Sequence, residues 1–208
     1  VTPSFFPRTT VSPARRSFLA ATLAVSAGTW LGKGTARAHD DSGGSVGVRA
    51  MEIAQEQAGV PYAWGGGDRL GPSIGFCDSV NGYLNGVCSA ENIIGFDCSG
   101  LALYCWYRAS GGTVDLPHYT VAQHRRGAPV SQDRLLPGDL LFFSRLDAPL
   151  YHVGIYAGHH SMVHAERTGT DVVTLPEVFQ HPKWGPEYAG AIRPRPGSPG
   201  SVTEGAAL

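Results

Sequence analysis

Three residues of this 208-residue chain have the types and surroundings for thiol chemistry: Cys98, His152 and His164. Cys98 lies in Gly95-Phe96-Asp97-Cys98-Ser99-Gly100-Leu101, after a loop and at the head of an apolar run. A run from Cys98 to about Ser110, stopped by Gly111-Gly112, predicts a helix. A thiol in its first turn lies near unpaired backbone N–H groups and the positive end of the helix dipole, which favours the thiolate. His152 and His164 fall in two β-like runs separated by Ala157-Gly158-His159-His160. If that turn centres on Gly158, positions 152 and 164 face each other, with Cβ atoms about 5 Å apart. A nucleophilic thiol, a histidine to take its proton and a second to orient the first is the layout of a cysteine hydrolase. The competing readings are a buried structural cysteine and satisfied strand histidines.

The elements that must position these groups follow from the rest of the chain. Val48 to Ala58 reads as a helix, with Val48, Met51, Ala54 and Ala58 on one face. A long glycine-rich loop precedes Cys98, and a short helical stretch is expected near Gln123. Strands are expected at Asp139–Phe143, Tyr151–Ala157, Ser161–Ala165, Asp171–Leu175 and Tyr188–Arg193. An early helical half followed by short strands predicts an α+β domain in which helices pack on a central antiparallel sheet.

Several segments together resemble the NlpC/p60 cell-wall peptidases. They are Val60-Pro61-Tyr62-Ala63-Trp64-Gly65-Gly66, Asp97-Cys98-Ser99-Gly100-Leu101, Leu136-Pro137-Gly138-Asp139-Leu140, His152-Val153-Gly154-Ile155-Tyr156 and Val163-His164-Ala165. They occur in the family's order across residues 48–193. The resemblance implies a papain-like fold and hydrolysis of peptidoglycan stem peptides, usually at the bond between γ-D-glutamyl and a diamino acid. It implies Cys98 as nucleophile, His152 as base and His164 as orienting group. It gives Tyr62 as an oxyanion donor beside the backbone N–H of Cys98, and Asp97 and Ser99 as lining for the substrate's free amino end. The alternative readings are a packing tyrosine for Tyr62 and a simple helix cap for Asp97. Asp139 reads as a turn residue bonding its own backbone. His118, His124 and His181 have loop contexts and no partner pattern, so no role is assigned to them. The insertion at about 67–95 departs from the family's short link and is expected near the cleft, with little apolar content to hold it.

Residues 1–38 read as a twin-arginine export signal: Arg15-Arg16, an apolar stretch from Phe18 to Leu31, and Ala36-Arg37-Ala38 as a cleavage site. That stretch falls short of the ~20 residues that span a bilayer, so no stable membrane span is expected. The expected destination is the secreted or cell-wall space, reached through the twin-arginine machinery. Residues 39–47 read as a flexible lead, 48–193 as the enzyme domain and 194–208 as a disordered tail. Past residue 38 the chain holds 11 basic and 17 acidic residues, a net charge of −6. That balance argues against nucleic acid and against charge-driven retention on anionic wall polymers.

Of four cysteines, Cys98 and Cys105 would lie about 10 Å apart on one helix and cannot bridge. Cys77 and Cys88 make the natural disulfide pair, with free thiols or a metal as the alternatives. Cys105 reads as a small buried hydrophobe. No cofactor and no metal are expected, and a monomer is. The alternatives to a stem-peptide endopeptidase are a related thiol amidase or acyltransferase, and a non-catalytic wall-binding scaffold.

Overall fold

In the computed structural model of the chain, residues 42–196 are described. The expected export signal, residues 39–41 and the chain from residue 197 onward lie outside them.

Helix α1 runs Ser42–Glu56, so the segment expected to be a flexible lead is helical from Ser42. Gly47 in this segment serves close packing. A Cβ on Gly47 would come within 2.7 Å of the Pro137 carbonyl, and Gly138 approaches the same spot from the other side. The buried face of α1 is Ala50, Ile53 and Ala54, whereas Val48 is exposed. The expected stripe is therefore rotated: Ala50, Ile53 and Ala54 rather than Val48 join the core.

The insertion folds as two small antiparallel pairs. Strand β1 (Ser73–Ile74) pairs with β4 (Ile94–Gly95), and between them β2 (Tyr83–Leu84) pairs with β3 (Val87–Cys88). The inner hairpin turns through Asn85 and Gly86, both at positive φ (52° and 79°), the geometry of a two-residue type I′ loop. A disulfide joins Cys77 to Cys88, with Cα atoms 5.9 Å apart. The insertion is not poor in apolar side chains as expected. Leu70, Ile74, Val80, Val87 and Ile94 are simply exposed and build no core.

Helix α2 (Cys98–Ala109) follows, then the single turn α3 (Thr120–Gln123). Six strands come next: β5 (Gly127–Val130), β6 (Leu140–Ser144), β7 (Leu150–Gly158), β8 (Ser161–Ala165), β9 (Val172–Leu175) and, after the short helix α4 (Trp184–Glu187), β10 (Tyr188–Pro194). They form one antiparallel sheet in the order β5-β10-β6-β7-β8-β9. The fold is thus α+β, helices on an antiparallel sheet. Strand β5 carries Gly127 and Pro129 and lies at an edge, and its sequence lacks the β-branched alternation that marks its neighbours.

Alternation along the strands divides the core. Leu140, Phe142, Val153, Ile155 and Val163 face α1 and α2. Leu141, Phe143, Tyr156, Met162 and Ala191 face Val178 and Trp184 on the other side. The β7–β8 hairpin turns at His159-His160, whose φ values of 47° and 56° make a type I′ loop closed by Gly158 and Ser161. The turn therefore does not centre on Gly158. Ile155 pairs with Val163, which places Gly154 opposite His164 and makes His152 its diagonal neighbour on the same face.

Candidate active site

Cys98 opens α2, where Asp97 is the N-cap: its Oδ1 accepts from the Gly100 N–H at 2.7 Å. The same oxygen accepts from Ser99 Oγ and meets His118 Nε2, both at 2.9 Å, while Oδ2 accepts from the Gly65 N–H at 3.1 Å. Asp97 thus ties the loop after Trp64, the head of α2 and the segment before α3 to one carboxylate. Gly100 is obligatory here, since a Cβ would run into the Gly66 carbonyl and crowd the His118 ring. Gln123 completes the brace by donating to the Ser99 and Pro117 carbonyls, each at 2.8 Å.

His152 comes from β7 and His164 from β8. His152 Nε2 lies 3.0 Å from His164 Nδ1, and both rings are buried. Trp184 packs on both, stacked on His152 at 4.6 Å and edge-on to His164 at 5.3 Å. Lys183 sits 3.9 Å over the Trp184 ring and donates to Glu166 at 2.9 Å, fixing the far side of the indole. The second nitrogen of His152, Nδ1, takes no part in that contact. In the resting geometry the sulfur lies 3.8 Å from Thr120 Oγ1, and among the described residues no hydrogen bond joins it to His152.

Two clefts meet at Cys98. One, ≈ 420 Å³, is lined by Asp97, Ser99, His118, Thr120, Leu150 and Phe76. The other, ≈ 400 Å³, holds Tyr62, His152, Glu166, Lys183 and the insertion residues Val80 to Tyr83. Trp64 and Tyr151 line both. The insertion therefore walls the site on both sides. Tyr62 is brought in by Pro61, which bridges to Asp171 beside β9, and its own N–H bonds the Thr170 carbonyl at 2.8 Å. Burial, then the nearby charges of Cys98 and Asp97, raise the Tyr62 pKa, so the phenol keeps its proton and remains a donor.

The helix terminus does not win the thiolate. Burial, then the Asp97 charge, push the Cys98 thiol up to about 12 against the weaker pull of the Val153 N–H, the Thr120 hydroxyl and the Ser99 N–H. Burial, then His164 and Lys183, hold His152 well below the ordinary imidazole value. Burial lowers His164 to about 4; Glu166 opposes this, while Lys183 and His181 reinforce it. The resting pair is accordingly neutral, a thiol beside an unprotonated imidazole. The base form of His152 persists below pH 6.5 and the thiol persists well above neutrality. The pH profile of kcat/KM should therefore show an acid limb with its midpoint below 6.5 and no alkaline limb near neutrality. A steady-state profile on a soluble peptide checks this, and an acid midpoint above 6.5 would contradict it.

His118, given no role from sequence, stands in the first cleft. Burial alone would lower its pKa, but its hydrogen bond to Asp97 and the charges of Asp97 and Asp68 outweigh burial and raise it. Trp184, Lys183 and Glu166 were also missed. None has a local sequence signal, because the contacts that place them span 12 residues or more: Glu166 to Lys183 and His152 to Trp184. His124 packs edge-on to Phe142, His181 Nδ1 accepts from the Lys183 and Trp184 N–H groups, and His159 and His160 sit at the hairpin tip. Asp139 accepts from the Leu136 N–H within its turn and pairs through both oxygens with Arg193, each bond 2.8 Å. Cys105 is fully buried and free, and the Cys77 and Cys88 sulfurs are joined, leaving no thiolates there for a metal.

The profile of the NlpC/P60 family matches residues 59–193. The chain is 36% identical over 120 residues to the peptidoglycan endopeptidase RipA of Mycobacterium tuberculosis, an alignment covering 58% of this chain and 22% of RipA. It is 32% identical over 137 residues to the gamma-D-glutamyl-L-lysine dipeptidyl-peptidase of Bacillus subtilis, covering 62% of this chain and 37% of that protein. Among solved structures, the P60 domain of the M. avium subspecies paratuberculosis antigen MAP1204 superposes with a TM-score of 0.56 at 29% identity, covering 74% of this chain and 96% of that one. The chain thus spans well under half the length of these two curated relatives.

Proposed function

Because the chain belongs to the NlpC/P60 family, we propose that it is a cysteine endopeptidase that hydrolyses peptidoglycan stem peptides. The observation that carries this reading is the convergence on one site of Cys98 at the head of α2 and the buried His152–His164 pair, bonded at 3.0 Å. His152 keeps a proton on Nε2, held by His164 Nδ1, so Nδ1 accepts the Cys98 proton as sulfur attacks the carbonyl carbon. With a resting thiol, proton transfer accompanies attack instead of preceding it. The Cys98 N–H and the Tyr62 hydroxyl receive the oxyanion. His152 then returns the proton to the departing amine, leaving a thioester on Cys98 that water hydrolyses with His152 again as base.

The protonated base identifies the two sides. His152 lines only the cleft holding Glu166 and Lys183, so that cleft takes the leaving amine. The acyl portion then lies in the cleft of Asp97, Ser99 and His118. Asp97 Oδ1 is saturated and Oδ2 carries one bond, so a substrate ammonium has a single open position on this carboxylate. The γ-D-glutamyl–diamino acid bond is the proposed target, in keeping with the bond named for the Bacillus subtilis relative. Export by the twin-arginine route and a monomeric enzyme in the cell wall complete the proposal.

Digestion of purified peptidoglycan, read by mass spectrometry, tests it. The expected products end in γ-D-glutamate and begin with a free diamino acid. Intact stem peptides released from muramic acid would make the enzyme an amidase, and no cleavage of either the polymer or a soluble stem peptide with a free amino end would remove the hydrolytic reading.

A further inference from the structure

The net charge of −6 past residue 38 conceals a one-sided basic surface. Arg125 and Arg126 lead into β5, while Arg193 and Arg195 lie in and just after β10. The pairing of Ala128 with Arg193 and Gly127 with Pro194, extended by the Arg195 N–H bonding the Arg126 carbonyl at 3.2 Å, brings both segments to one edge of the sheet. Arg134, at the end of the 3-10 turn Gln132–Arg134, closes the third side, its carbonyl accepting from Arg193 Nη2 at 3.2 Å. An open cleft of ≈ 690 Å³ lies among Arg134, Arg193 and Arg195, floored by Pro129, Val130 and Leu136.

Five of the eleven Lys and Arg residues in 42–196 gather here, against two of its fourteen Asp and Glu residues. Of those two, buried Asp139 pairs bidentately with Arg193 and cancels its charge, leaving four arginines against exposed Asp133. The rest of the described chain holds six cations and twelve anions, so charge is segregated between surfaces rather than mixed. The net charge alone hid this distribution.

We propose that this arginine cleft is a second binding site, distinct from the active site, for a phosphodiester-bearing anionic polymer of the cell wall. Guanidinium forks match phosphate oxygens bidentately, and their weak hydration suits exposed ion pairing. Arg134 and Arg195 line the cleft while Arg125 and Arg126 lie on the segment leading into β5, so the cations not spent on Asp139 are spread along this edge rather than converging on one point. That arrangement fits a chain of repeated charges better than a single small anion. Two or three strands and about four residues separate it from His152, roughly 15–20 Å at strand spacings. A tethering polymer bound there would leave the catalytic clefts free. Preferring a wall polymer to nucleic acid rests on the function proposed above.

Co-sedimentation of the full chain carrying Cys98→Ala with purified cell wall tests the site, before and after hydrofluoric acid removes the phosphate polymers. The chain should sediment with the untreated wall, lose at least fivefold of that binding on the stripped wall, and release between about 50 and 200 mM salt. Arg134→Gln/Arg195→Gln should also bind at least fivefold less, with a salt slope shallower by about one per arginine removed. In the Cys98 background the same double variant should hydrolyse a soluble stem peptide at the unmodified rate, which reports folding and separates this site from catalysis. Equal sedimentation with stripped wall, or undiminished binding by the double variant, would overturn the proposal. So would displacement by millimolar inorganic phosphate alone, or preference for duplex DNA over the isolated polymer at equal phosphate concentration.

Discussion

Cys98→Ala should lower kcat/KM on a soluble stem peptide by at least ~10³-fold, the scale seen when one member of a grouped catalytic set is removed. In the proposed mechanism the sulfur forms the thioester, and among the described residues the other free thiol, Cys105, is fully buried seven positions along α2. Burial keeps the Cys105 thiol protonated, so it offers no substitute nucleophile. Cys98→Ser should be nearly as severe, because an alkoxide is harder to form than a thiolate where burial has already raised the thiol to about 12. The fold should survive. Cys98 packs at the rim of two clefts, and losing one sulfur costs about the value of a buried methylene, roughly 1 kcal/mol. For a domain of this size that is a Tm change of about 2–4 °C, checked by calorimetry beside the kinetics. Activity above a thousandth of the unmodified enzyme, with the fold intact, would remove Cys98 from the nucleophile's role.

Features with a local cause were legible in the sequence. Asp97 before an apolar run announces α2 and its cap, and the structure places the carboxylate on the Gly100 N–H. The unbroken apolar run Leu140 to Phe143 suits a strand buried on both faces, and both faces are covered. Features that depend on which turn or neighbour wins were not legible. Gly158 looked like the hairpin's centre, yet two histidines adopt positive φ beside it, and the register moves by two. That shift preserves the face because side chains alternate with period two, which is why His152 and His164 still meet. The thiolate expectation failed for a similar reason. A helix terminus offers a modest stabilisation, and burial beneath the clefts outweighs it. His118 meets Asp97 from 21 positions away, and Trp184 covers His152 from 32, so no window of sequence contains either pair.

His152→Ala is the other change with an expected loss of at least ~10³-fold, since in the proposed mechanism it removes both the acceptor for the thiol proton and the donor to the leaving amine. Because the two residues act in one step, Cys98→Ala/His152→Ala should be no worse than either single variant. The His164 series shows how the base is held. In the proposed mechanism His152 keeps its proton on Nε2, leaving Nδ1 open, and His164 Nδ1, 3.0 Å away, is the acceptor for that proton. An amide oxygen can accept the same bond, so His164→Asn and His164→Gln should stay within about tenfold of the unmodified rate. His164→Ala leaves the buried Nε2–H of His152 without a partner, a penalty of about 1–3 kcal/mol, and frees the ring to swing or change tautomer. That variant should lose about a hundredfold or more in kcat with a smaller change in KM, the mark of a residue acting through another. Equal losses for alanine, asparagine and glutamine at 164 would show that the ring does something there that hydrogen-bond acceptance does not explain. No loss in any of the three would show that Trp184, stacked 4.6 Å from His152, suffices to orient it.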